Sequence, residues 1–185
     1  VREIHNLRMY DPKRTANLLG AAVLALHDEM RGAVERIAGR SGESPAALVA
    51  LGHQPGLSNE GLRRLLALSH PGSVRLIDRL VEDGLVERRQ CSRDGRAVAL
   101  YLTAAGERTR HGILAERETV VLGLVEQLSA KDQAGLTRAL EKLLRAVSRD
   151  DEHKLRICRL CDGDPCVDCP IHVSVADEPS LAHLE

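Results

Sequence analysis

The sequence predicts a mainly α-helical chain that carries one small β-hairpin. Three observations lead there. Apolar residues recur at spacings of three and four from Leu18 to Ile37, from Ile113 to Leu128 and from Leu136 to Val147. That spacing stacks side chains on one face of a helix. Two strand-like runs, Leu85 to Cys91 and Ala97 to Leu102, are joined by Ser92-Arg93-Asp94-Gly95-Arg96. Asp-Gly between such runs suits the positive-φ turn of a hairpin. Aromatic residues are nearly missing, with Tyr10 and Tyr101 and no Phe or Trp, so the core must be leucine, valine and alanine packing.

The elements follow in order. Leu18, Leu19, Ala22, Val23, Leu26, Met30, Val34 and Ile37 predict a helix from Pro12 to about Gly39. Gly42 and Ser44-Pro45 mark a turn and a new start, because proline lacks an amide proton and fits a first helical turn. Ala46 to His53 reads as a short helix that Gln54-Pro55-Gly56 ends. Ser58 is placed to cap the next one, in which Leu62, Leu65, Leu66 and Leu68 with Ala67 form an apolar face. The run Ser69-His70-Pro71-Gly72-Ser73 breaks that helix. In the following helix Val74, Ile77, Leu80 and Val81 face a core, and Ser73, Arg75 and Arg79 fall on other faces. Gly84 stands where a left-handed glycine closes a helix. After the hairpin, Thr103 caps a helix reaching about Leu128, and Ser129 starts another. Asp150-Asp151-Glu152 reads as a solvated charge run.

Charge and motifs narrow the function. The 185 residues make one domain, or one domain with an appendage. Lys plus Arg is 26 and Asp plus Glu is 27, a net charge of -1, so bulk basicity announces no polyanion. Affinity for one would have to come from the placement of a few arginines. No run of apolar residues is long enough to span a membrane, and no signal-peptide pattern opens the chain. No nucleophile-elbow serine, phosphate-loop lysine or zincin histidine pair is present, so no enzymatic activity is expected.

Helix, turn, helix and hairpin in this order form a winged helix-turn-helix. Arg75, Ile77-Asp78, Leu80, Gly84-Leu85-Val86, Arg88, Asp94-Gly95-Arg96, Leu100, Leu102-Thr103 and Gly106 together resemble the MarR family of bacterial transcription regulators. The resemblance runs from about Thr15 to Arg149. It implies an intertwined helical homodimer, with residues 12–40 and 103–149 as the dimerisation region and 44–102 as the DNA-binding region. It also implies that the helix with Ser73, Arg75 and Arg79 reads the major groove. Arg93, Asp94 and Arg96 would form a wing that offers an arginine to the minor groove. A palindromic double-stranded operator, salt-sensitive binding, a repressor role and a bacterial cytoplasmic location follow from the same resemblance. So does release by a small-molecule effector, often a phenolic anion, or by a redox signal.

Residues 150–185 lie outside that resemblance. Cys158, Cys161, Cys166 and Cys169 form two C-x2-C pairs within twelve residues. Two such pairs can complete a tetrahedral zinc site, although the spacer between them is shorter than in a zinc ribbon. An iron–sulfur cluster, a thiol–disulfide switch and reduced cysteines without a role are the other readings. Cys91 stands beside Arg88, Arg89 and Arg93, where positive charge favours a reactive, possible redox thiolate; the alternative is a half-buried strand cysteine. Two other functions remain open at this level. One is a dithiol redox protein, and the other is a winged-helix module whose tail docks a protein partner.

Overall fold

The computed structural model describes residues 11–90, 98–163 and 169–171. Helix α1 spans Pro12–Ala38 and begins where the Asp11 carboxylate accepts from the Lys13 amide at 2.9 Å. It ends at left-handed Gly39. Helix α2, Ser44–His53, is the centre of the core: all residues from Ser44 to Leu51 are buried. Strand β1, Leu57–Ser58, leads into α3, Asn59–Leu65, which Ser58 caps through the Gly61 amide. Helix α4, His70–Glu82, is capped by Ser69 and carries Pro71 in its first turn. Strands β2, Val86–Gln90, and β3, Val98–Leu102, pair antiparallel with Arg88 opposite Leu100. Helix α5, Ala104–Val125, starts at the Thr103 cap, and α6, Ala130–Val147, starts at the Ser129 cap.

Three features depart from the sequence expectations. Strand β1 pairs with β3 through Leu57 and Leu100, so the sheet has three strands in the order β1-β3-β2. Helix α3 stops at Leu65 instead of running through Leu68. There Ala67 takes φ +53°, the Leu68 amide donates to the Arg63 carbonyl, and the Ala67 amide donates to the Arg64 carbonyl. This is the paired closure that glycine usually makes. Gly84 makes it at the end of α4, with Leu85 donating to Leu80 and Gly84 to Val81. Third, Asp150-Asp151-Glu152 is exposed, as a solvated charge run should be, but it also starts a helix, α7, Asp151–Ile157. Asp150 caps the His153 amide, and acidic residues in the first turn with Lys154 and Arg156 in the last complement the helix dipole.

The core lies where α2, α3, α4, the sheet and the middle of α5 meet. Leu48, Leu51, Leu62, Ile77, Leu80, Leu100 and Ile113 are essentially inaccessible to solvent. Each such side chain contributes about 1.5–3 kcal/mol through burial. Gly106 in the first turn of α5 is required by a close approach: a Cβ there would stand 2.0 Å from the Leu85 carbonyl oxygen. That contact sets α5 against the end of α4 and hence against the sheet. Helix α7 packs against α3, and Leu155 and Leu160 reach the same core, while Ile171 in the tail is also buried. The cysteine-bearing segment is thus seated on the winged unit.

Candidate functional site

Helix α4 has two faces with different chemistry. Ser73, Leu76, Ile77 and Leu80 are buried against α3 and the sheet. Arg75 and Arg79 are exposed on the other side and take no part in an ion pair among the described residues. Ser73 corrects the sequence reading. It is fully buried, and its hydroxyl donates to the His70 carbonyl at 2.9 Å. A serine four residues after an N-cap can satisfy its hydroxyl on its own helix, so its polarity alone did not place it outside.

The arginines near α4 divide by their partners. Arg88 on β2 donates to Asp78 on α4 at 2.5 Å, which ties the sheet to the helix. Arg89 is bonded to Glu87, and its guanidinium lies 4.3 Å from the centre of the Tyr101 ring. Arg63 is held by Glu60, whose carboxyl is kept below its ordinary range by that hydrogen bond. Arg40 on the loop after α1 grips Asp83 at the end of α4 with Nε at 2.8 Å, and this contact lowers the Asp83 carboxyl in the same way. Arg75 and Arg79 therefore differ from these neighbours in being exposed without a hydrogen-bonded acidic partner among the described residues, although Arg79 adds positive charge near Asp83. Cys91, Arg93, Asp94 and Arg96 lie outside the described residues.

The second constellation is at the end of α7. Cys158 is its C-cap, and the Cys161 amide donates to the Cys158 carbonyl at 2.8 Å, closing one tight turn. The Cys158 thiol donates to the Cys161 sulfur, and Arg117 and Arg159 add positive charge. Together they outweigh burial and Asp162 and bring the Cys161 thiol from 9.0 to about 6. Cys158, Cys161 and Cys169 are half-buried and form no disulfide. Cys166 lies outside the described residues, and no group of three metal-binding side chains meets among the described ones.

Arg117 was not singled out by sequence. It sits on α5, far along the chain from the cysteines, and no local pattern links them. A cavity of about 560 Å³ opens between α1, the start of α2, α5 and the tail, lined by Arg31, Glu43, Arg117, Arg159 and Cys161 among others. The tail is pinned to both ends of α2. Arg159 is 4.0 Å from Glu43, and His53 Nε2 is 3.0 Å from the Cys161 carbonyl oxygen.

A model of the MarR family matches residues 39–97, the segment that holds α2 to β2 and the described start of the hairpin. The HTH-type transcriptional regulator BilQ of Clostridium symbiosum (strain WAL-14163) is 28% identical over 102 residues, which is 54% of this chain and 71% of that relative. Among solved structures, RV1404 from Mycobacterium tuberculosis shares the fold with a TM-score of 0.68 at 22% identity. The match covers 75% of this chain and 96% of that one, so the remainder of this chain has no counterpart there. A mutant of S. aureus MepR bound to an oligodeoxyribonucleotide matches with a TM-score of 0.57 at 20% identity, over 72% of this chain and 98% of that one. No described helix is long and apolar enough to cross a membrane.

Proposed function

We propose that this chain, which carries a MarR-family winged helix-turn-helix over residues 39–97, is a sequence-specific regulator of transcription that binds double-stranded DNA as a homodimer. The observation that carries the reading is α4: one face is locked in the core, and the opposite face holds Arg75 and Arg79 outward beside a hairpin. A helix so anchored can enter a major groove without losing its own packing, and bidentate arginines read guanine there. Because the whole chain is slightly acidic, affinity has to come from these few groups and from doubling them in a dimer.

The dimer reading is supported by the flanking helices. α6 buries none of its residues within one chain. Leu18, Val23 and Leu24 on α1, Leu122 and Leu124 on α5, and Leu136, Leu140, Leu143 and Val147 on α6 are all exposed. Apolar surface on this scale calls for a covering partner. A two-fold dimer would present two α4 helices to half-sites about one helical turn apart, hence a palindromic operator. In the simplest regulatory scheme the protein is a repressor. An anionic effector held by Arg31 and Arg117 in the cavity between α1 and α5 would shift the dimer to a spacing that no longer fits DNA.

Footprinting on DNA selected by the full-length protein tests this. A protected site with two-fold symmetry is expected, with Arg79→Ala weakening binding by about 1–3 kcal/mol. A footprint lacking symmetry, or an Arg79→Ala affinity equal to wild type, would count against the role given to α4. Operator binding by protein whose thiols are all blocked separates the regulator from a dithiol redox protein.

A further inference from the structure

We propose that Arg40 is a positioning residue for DNA reading: it occupies both carboxylate oxygens of Asp83 and so keeps that carboxylate from pairing with Arg79 on the same face of α4. This role rests on the reading of α4 as the helix that enters the groove, and it brings in a residue from the loop after α1. Arg40 need not touch DNA to act, because it works through Arg79.

Helix geometry places the competitor. Asp83 keeps a helical backbone, with φ -75° and ψ -3°, and its amide donates to the Arg79 carbonyl at 2.9 Å. Its side chain therefore starts one turn beyond that of Arg79 on the same side of the helix, the spacing at which a carboxylate and a guanidinium pair. The hydrogen bond from Arg40 is the main reason that the Asp83 carboxyl is held below its ordinary range, and the charge of Arg79 adds to it. Arg40 has the stronger claim. It follows Gly39, the left-handed residue that ends α1, and its Nε and Nη2 donate to Asp83 Oδ2 at 2.8 Å and Oδ1 at 2.5 Å. Two charge-assisted bonds in one plane outcompete the weak attraction of an exposed pair one turn apart.

The same arrangement recurs at Arg75. Asp78 stands three residues after Arg75, and Arg88 of β2 donates to its Oδ1 at 2.5 Å. Glu82, the remaining acid of α4, adds attraction for Arg40. Asp78 and Asp83 are thus met by arginines from outside the helix, while Arg75 and Arg79 stay exposed. The chain carries a net charge of -1, so DNA affinity depends on the few guanidinium groups that no acid cancels. Without Arg40, the Asp83 carboxylate would draw Arg79 back along the helix and would itself repel the phosphates.

Operator affinity, measured by fluorescence anisotropy at fixed salt on DNA selected by the full-length protein, tests the role. Arg40→Ala should weaken binding by about threefold to tenfold. Asp83→Asn should bind at least as tightly as wild type. The double variant should return to within about twofold of wild type, because the competing carboxylate is gone. In an Arg79→Ala background, Arg40→Ala should cost less than about twofold, since the group it acts through is missing. Circular dichroism and denaturant midpoints check that each variant is folded. Three results would overturn the role. One is a loss in Asp83→Asn equal to that in Arg40→Ala, which would make the pair a clasp of the fold. Another is an undiminished loss in the Arg79→Ala background, which would mean that Arg40 meets DNA itself. The third is wild-type affinity in Arg40→Ala, with Arg79→Ala still weakened. A wild-type chain that binds no operator would overturn the reading of α4, and this role with it.

Discussion

The winged unit and the helices that flank it both carry apolar stripes, with opposite outcomes. In the winged unit Leu48, Leu62, Ile77, Leu80 and Leu100 are at most 1% exposed. On the flanks Leu24 is 69% exposed, Leu124 53% and Val147 51%. The difference is one of geometry. α2, α3 and α4 surround a three-stranded sheet and cover one another's apolar faces. α1 and α5 lie side by side, and one helix against another covers only a stripe on each. α6 buries none of its residues against the other described elements. One region is buried within a single chain, whereas the other leaves apolar faces exposed among the described residues.

The largest expected effect breaks the second region and leaves the first intact. Leu140→Asp combined with Leu143→Asp should weaken self-association by about 4 kcal/mol, on the order of a thousandfold. Sedimentation should then give a monomer that keeps its helical circular dichroism. A dimer of unchanged affinity would mean that α6 is not part of the interface.

Next come changes inside the winged unit. Ile77→Ala should cost about 2–5 kcal/mol, because Ile77 is 1% exposed and its cavity cannot refill. Gly106→Ala should cost about 1–3 kcal/mol, since the new methyl group meets the Leu85 backbone oxygen and not a side chain that could turn away. Denaturant midpoints at several protein concentrations read both. If Ile77→Ala lowers the midpoint no more than Leu24→Ala does, the contrast between the two regions fails.

Smaller effects sharpen the comparison. Ala67→Gly should stabilise the winged unit by about 0.5 kcal/mol, as relief of the left-handed alanine exceeds the added chain entropy. A lower midpoint would mean that the φ of Ala67 carries no strain. A pH-dependent effect is expected at the tail. The Cys161 thiol is lowered to about 6, so its alkylation rate should rise through a midpoint near there and not near 9.0. A depressed thiol contributes to the folded state fully above pH 9.0 and loses that contribution as pH falls through about 6. The seat of the tail on α2 and α5 should loosen over that window, which hydrogen exchange of residues 151–161 would detect. Exchange that does not vary with pH beyond its intrinsic rate would remove the thiolate from the contacts that hold the tail.

The sequence alone determined whatever rests on local chemistry. Asp11, Ser58, Ser69, Thr103 and Ser129 cap helices because a short polar side chain satisfies an otherwise open amide. Gly84 closes α4 because only glycine enters the left-handed region freely. The three-and-four spacing marked the faces of α4 and with them the outward Arg75 and Arg79. The cap and charge pattern of α7 was also present in Asp150 to Arg156, although a short acidic run is equally compatible with a loop.

Tertiary structure decided the rest. The closure at Ala67 carries no glycine to announce it, and β1 is two residues long, too short for any period to show. Burial of Ser73 depends on α3 and β-strand packing against its side of α4, which hydrophobic spacing does not assign to a serine. The placing of Arg117 and Cys161 in the lining of one cavity joins α5 to a segment more than forty residues later in the chain. Local sequence sets how each element begins, ends and faces, because those choices involve neighbours within a turn. Which charged groups share a site is set by how separate elements pack, and a one-dimensional pattern holds no record of that distance.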